Sequence, residues 1–111
     1  MKDSLRKFKA AFFQALAHPT RIALIERLRE GEVSVGQLCE QLGAEQANVS
    51  QHLAILKAKN IVVSRKDGNQ VFYALRDPLL NDVLDIVRRY FQAHLKEAME
   101  ILSDMDEENQ P

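Results

Sequence analysis

Side chains able to do covalent or metal chemistry are few in this sequence. It has one cysteine, Cys39, and three histidines, His18, His52 and His94. A nucleophile needs a base within reach, and a soft metal needs more than one thiolate. Nothing here forms those patterns, nor is there a glycine-rich phosphate loop or a nucleophile elbow. The expectation is therefore not an enzyme, with no cofactor. The residues that do gather are of another kind. Gln46, Asn48, Ser50 and Gln51 fall in one short segment, "EQANVSQHLAILKAKN", interleaved with Ala47, Ala54 and Ala58. Their chemistry is hydrogen bonding without net charge. Glutamine and asparagine amides can pair with both polar atoms of an adenine edge, and serine is permissive. Lys57 and Lys59 follow, then Arg65 and Lys66. Such cations suit phosphates, which fix position without reporting sequence.

Those residues need elements to hold them. Leu5, Phe8, Phe12 and Leu16 recur every three to four positions, which predicts a helix over residues 4–17. Pro19 suits the first position of a second helix, because its missing N–H is an orphan there anyway. Ile22, Leu24, Ile25 and Leu28 carry that helix toward a stop at Gly31. Ser34 and Gln37 are spaced as a capping box for a third helix, which ends at Gly43. Val49, Leu53 and Leu56 form the buried stripe of a fourth, whose other face bears the amides and alanines. The Gly43–Glu45 connection between the third and fourth has the length that joins crossing helices in a helix-turn-helix.

After Asn60 the hydrophobic period changes to two. "IVVSRK" and "NQVFYAL" flank Asp67-Gly68, a hairpin signal that expects positive φ at both turn positions. From Pro78 a long apolar face predicts a last helix to about Leu102. The expected architecture is mainly α with a β-hairpin wing: a winged helix-turn-helix, ordered α1-α2-α3-α4-β-β-α5. Residues 1–103 form the domain, and residues 104–111 a disordered acidic tail.

The order of elements points to duplex DNA. The major groove admits one helix, and the hairpin would reach the flanking backbone. The DNA-facing set is Gln46, Ala47, Asn48, Ser50, Gln51, Lys57, Arg65, Lys66 and Asn69. The competing reading is a protein-interaction module that presents the same neutral face.

Charge agrees with a polyanionic partner. The net charge is −1, but all 15 Lys and Arg precede residue 97, against 10 acids in the same span, and only acids follow. An ordinary solvated surface is the alternative. Most of the seven aromatics lie toward the chain ends. One small domain cannot easily cover both end faces, whereas a symmetric pair can. The expected dimer contacts are Leu5, Phe8, Phe12, Val83, Val87, Tyr90 and Phe91, and two copies would read a palindrome. The charged, periodic start lacks a signal-peptide core, and no apolar run approaches the ~18 residues of a membrane span. A lone cysteine fits a reducing cytoplasm.

Taken in order, "FQALAHPTRIALIERL", "VGQLCEQLG", "QANVSQHLAILKAKNIV" and "SRKDGNQVFYAL" closely resemble the ArsR/SmtB family of bacterial winged-helix repressors, over residues 8–100. The resemblance implies a homodimer built from its first and last helices, bound to a palindromic operator and released by an effector. The family's usual effector sites are incomplete here. A Cys-x-Cys pair would need a second thiol where Gln41 stands. A zinc site aligned on His94 and Glu97 would place Asn81 and Val83 at its other two ligand positions, and valine cannot bind metal. Cys39 therefore remains as a possible thiol sensor, against a plain buried role. His94 and Glu97 are half of a metal set, against an ordinary helix pair. His18 is expected to cap or pack, and His52 to pack. Glu45 stands where the family often places Ser or Thr as a cap, and glutamate caps less well.

Overall fold

Four helices and a small sheet precede the last helix in the computed structural model, which describes residues 2–108. The elements are α1 (Lys2–Leu16), α2 (Pro19–Arg27), β1 (Val33–Ser34), α3 (Val35–Leu42), α4 (Gln46–Ala58), β2 (Val62–Asp67), β3 (Gln70–Leu75) and α5 (Leu79–Glu108). The chain up to Pro78 is one compact unit, and α5 is another.

Local chemistry sets the helix ends. His18 caps α2, its Nδ1 accepting from the Thr20 N–H at 3.1 Å, and Pro19 follows as the first helical residue. Arg21 reaches back to close α1: its Nε donates to the Ala15 carbonyl at 2.6 Å and its Nη2 to the Gln14 carbonyl at 3.3 Å. At α3 the capping box is complete. The Gln37 N–H donates to Ser34 Oγ at 3.2 Å, and the Ser34 N–H donates to Gln37 Oε1 at 3.3 Å. Gly43 then turns left-handed at φ 60. The Ala44 and Gly43 amides donate back to the Cys39 and Glu40 carbonyls, a Schellman closure. Helix α4 ends the same way, with Asn60 at φ 59 and the Asn60 and Ile61 amides bonded to Lys57 and Leu56.

The core lies beneath α4. Val49, Leu53 and Leu56 are fully buried, with Leu24, Ile25, Leu28, Leu38 and Val62. Helices α1, α2 and α3 and strand β2 all pack against α4. Each leucine so buried contributes roughly 1.5–3 kcal/mol relative to exposure. Helix α4 is thus fixed by its inner face, and its outer face is left exposed.

The sheet departs from expectation in two ways. It has three antiparallel strands in the order β1-β3-β2, because Val33 and Ser34 pair with Tyr73 and Phe72. A two-residue strand shows no alternation to read. The hairpin turn is also shifted by one residue. Asp67 pairs with Gln70, so Gly68 and Asn69 form the loop. Among described non-glycine residues only Asn60 has positive φ, and Gly68 has φ 60. Glycine at the first loop position, alone at positive φ, is the pattern of a type II′ turn.

Helix α5 runs further than the sequence suggests. Residues 104–108 are helical, not disordered, and residues 109–111 lie outside the described residues. Ile101, Leu102 and Met105 continue the apolar spacing, and glutamate is a good helix former. No α5 residue is buried, and Tyr90, Phe91 and Leu95 are each more than half exposed. Among the described residues no helix is long and apolar enough to cross a membrane.

Candidate nucleic-acid interface

The outward face of α4 is made of Gln46, Ala47, Asn48, Ser50, Gln51, Ala54 and Ala58, all exposed. Among the described residues, no hydrogen bond occupies the side chains of Gln46, Asn48, Ser50 or Gln51. Their amides and hydroxyl project from the first turns of the helix. The alanines behind them keep the face shallow. At the N-terminus, Glu45 holds the cap position without a side-chain cap bond. The first amides of α4 are therefore left to solvent or to an anion.

Cations border this face unevenly. Lys57, in the last turn of α4, donates from Nζ to Ser64 Oγ at 2.8 Å, which ties the helix to β2. An ammonium has three donors, so this bond leaves others for a phosphate. Lys66 is exposed on β2 near the wing tip, and Asn69 is exposed in the turn. Arg65 has partners within the chain that its sequence position does not reveal. Its guanidinium is paired with Glu32, Nε to Oε2 at 2.8 Å and Nη2 to Oε1, and lies 4.6 Å over the Phe72 ring. The hydrogen bond from Arg65 holds the Glu32 carboxyl below the usual carboxylate range.

Behind α4, His52 meets the α1–α2 junction. Its ring lies 4.2 Å from that of His18, and Arg21 Nη1 is 3.4 Å from its Nδ1. Burial, then the charges of His18 and Arg21, push the His52 pKa down from 6.5. Both histidines serve the frame, as capping and packing groups.

The remaining candidates stand apart. Cys39 is free and half-buried on α3, less enclosed than its spacing suggested. On α5, His94 Nδ1 is 3.7 Å from Glu97 Oε2, and its ring lies 4.3 Å from that of Tyr90. Among the described residues no group of three or more His, Cys, Asp or Glu is placed to hold a metal ion. Of the expected dimer contacts, Leu5, Phe8, Tyr90 and Phe91 are more than half exposed, Val83 and Val87 about two-fifths, and Phe12 is half-buried.

Sequence reasoning missed three residues beside this surface. Glu32 and Ser64 gain their meaning only from cross-strand and helix–strand partners. Ile55 is 38% exposed on α4, next to the amide face. The helical spacing of α4 already sets Ile55 off the buried stripe of Val49, Leu53 and Leu56.

Comparison with known proteins bears on the family and the fold. Residues 18–64 match the model of the bacterial regulatory protein arsR family. An HTH-type transcriptional regulator of Mycobacterium tuberculosis, Rv0081, is 36% identical over 104 residues, covering 93% of this chain and 91% of that protein. This chain belongs to the arsR family. The Rv0081 crystal structure superposes with a TM-score of 0.80 at 38% identity, covering 86% of this chain and 96% of that one. The biofilm growth-associated repressor of Xylella fastidiosa is 36% identical over 89 residues, covering 80% of this regulator and 78% of that protein. A homodimeric winged helix-turn-helix domain from Mycobacterium bovis, Mb0332, shares the fold with a TM-score of 0.78 at 24% identity, covering 86% and 89%. The regulator has the DNA-binding winged helix-turn-helix fold, and its relatives are transcriptional regulators rather than enzymes.

Proposed function

We propose that this regulator is a cytoplasmic homodimer that represses transcription by binding a palindromic operator, with α4 in the major groove and the wing on the adjacent backbone. One observation carries the reading. The exposed face of α4 is small and uncharged, and it offers four unengaged polar side chains at its N-terminal end. A solvated face would gain solubility from lysine and glutamate, whereas a groove-facing one needs close approach. Gln46, Asn48, Ser50 and Gln51 read base edges, with Ala47 admitting the helix. Lys57, Lys66 and Asn69 meet the backbone.

The dimer follows from the uncovered apolar faces of α1 and α5. A second copy would bury them, as the homodimeric relative Mb0332 suggests, and would place two reading helices about one DNA turn apart. An effector would release the operator. Cys39 offers a thiol route, and His94 with Glu97 a metal route.

The test is selection of random duplex DNA on the purified protein, then binding to the enriched sequence across salt. A palindrome whose affinity falls steeply with salt is the expected outcome. A folded dimer that enriches nothing, with and without zinc or reductant, would turn the neutral α4 face into a protein-docking surface. Oxidant or zinc added to the bound complex then separates the two effector routes.

A further inference from the structure

We infer that Glu32 and Arg65 form a brace across the wing, which makes Arg65 a positioning residue rather than a phosphate contact. The inference rests on the reading of α4 and the wing as the DNA-binding surface. It starts from strand register. Arg65 stands opposite Phe72, and Phe72 opposite Ser34, so the three share one face of the sheet. Glu32 lies just before β1, and its carboxylate meets Arg65. The Arg65 side chain starts on β2 and crosses β3 with its guanidinium over the Phe72 ring. It ends on Glu32, at the entry to β1, where Nε donates to Oε1 at 3.1 Å and Oε2 at 2.8 Å, and Nη2 donates to Oε1. Asp67 adds a second carboxylate at 3.8 Å from Nη1. One side chain therefore links all three strands.

The brace also ties the wing to the reading helix. Glu32 is followed by β1, and Ser34 at the end of β1 caps α3, the first helix of the helix-turn-helix. The wing's angle to α4 is thereby set from the α3 side as well as through Lys57 and Ser64. To reach a phosphate, Arg65 would have to leave a forked carboxylate and a ring face together. Lys66, one residue on, has no partner among the described residues and points its charge outward without that cost. Both brace residues are about half exposed, with side-chain exposures of 52% and 40%. Exposed pairs add little to global stability, so the brace is expected to act locally, on the orientation and opening of the wing.

A charge swap tests this. Arg65→Glu should weaken operator binding about tenfold, and Glu32→Arg combined with Arg65→Glu should recover most of it, since coupled residues are non-additive. Arg65→Ala should leave the slope of log affinity against log salt unchanged. A phosphate contact would lower that slope by ~1, and the double swap would then stay as weak as Arg65→Glu. That pair of results overturns the brace. Amide exchange of β2 and β3, read without DNA, gives an independent arm. It should quicken in Glu32→Ala and in Arg65→Ala and return to wild-type rates in the double swap. Unchanged exchange in both single variants would overturn the brace whether or not the wild type binds DNA. Wild-type failure to bind any duplex would overturn only the DNA reading beneath it.

Discussion

Gln51 and Lys66 are both exposed and polar, yet they are expected to fail differently when removed. An amide on a base edge discriminates between sequences, so Gln51→Ala should relax preference at one operator position by about 1–3 kcal/mol. Lys66→Ala should weaken all duplexes alike, with the salt slope falling by ~1. Binding to an operator panel at several salt concentrations separates them, and equal loss of specificity in both would refute the assignment. His52 makes a different prediction. Its native pKa lies below the ordinary 6.5 because burial, His18 and Arg21 disfavour the charged ring. The unfolded chain therefore binds the proton more readily. Stability from this group is full above pH 6.5 and is lost as pH falls through the lower native value. His52→Gln should flatten the decline of denaturant midpoints below pH 6.5, and an unchanged profile would exclude His52 as its source. The exposure of Gln46, Asn48, Ser50 and Gln51 was legible at this scale, since Val49, Leu53 and Leu56 mark the buried stripe and leave the rest of the first turns of α4 outward. Glu32 was not, because thirty-odd residues of chain separate it from Arg65 and only strand register joins them.

At the scale of elements, the turn between α3 and α4 is the most exacting joint. Gly43 sits at φ 60, and a Cβ there would meet nothing within 4 Å. The cost of Gly43→Ala is therefore backbone strain alone, about 1–2 kcal/mol. Urea unfolding should show that loss, with operator affinity lowered as well if the α3–α4 angle relaxes. A neutral substitution would mean the turn can reach another conformation cheaply. The helices and hairpin were readable because each repeats its period several times. Strand β1 was not, because two residues make no period and their partners lie beyond α4. The hairpin turn was misplaced by one residue for a related reason. Asp67-Gly68 and Gly68-Asn69 are both good turn pairs, and only pairing decides between them. The last helix outruns the end that its run of acids suggests, because Met105 keeps the apolar spacing within a helix that continues to Glu108.

For the whole molecule, the apolar faces of α1 and α5 are the main expectation still to be met by a partner. Phe8 is 71% exposed and Phe91 63% exposed in the single chain. Phe8→Glu or Phe91→Glu should leave the fold intact and shift sedimentation toward monomer, with operator affinity falling in parallel. A dimer indifferent to both changes would place the interface elsewhere. The pairing of β1 with β3 bears on how such a chain assembles. It closes a loop from Val33 to Tyr73 that contains the whole of α3, α4 and β2. Loop-closure entropy must be met before those two strands reward it, so the third strand should join late in folding. Destabilising β1 would then speed unfolding more than it slows folding. Until that strand docks, the β2–β3 hairpin is formed but not yet anchored to the segment that leads into α3.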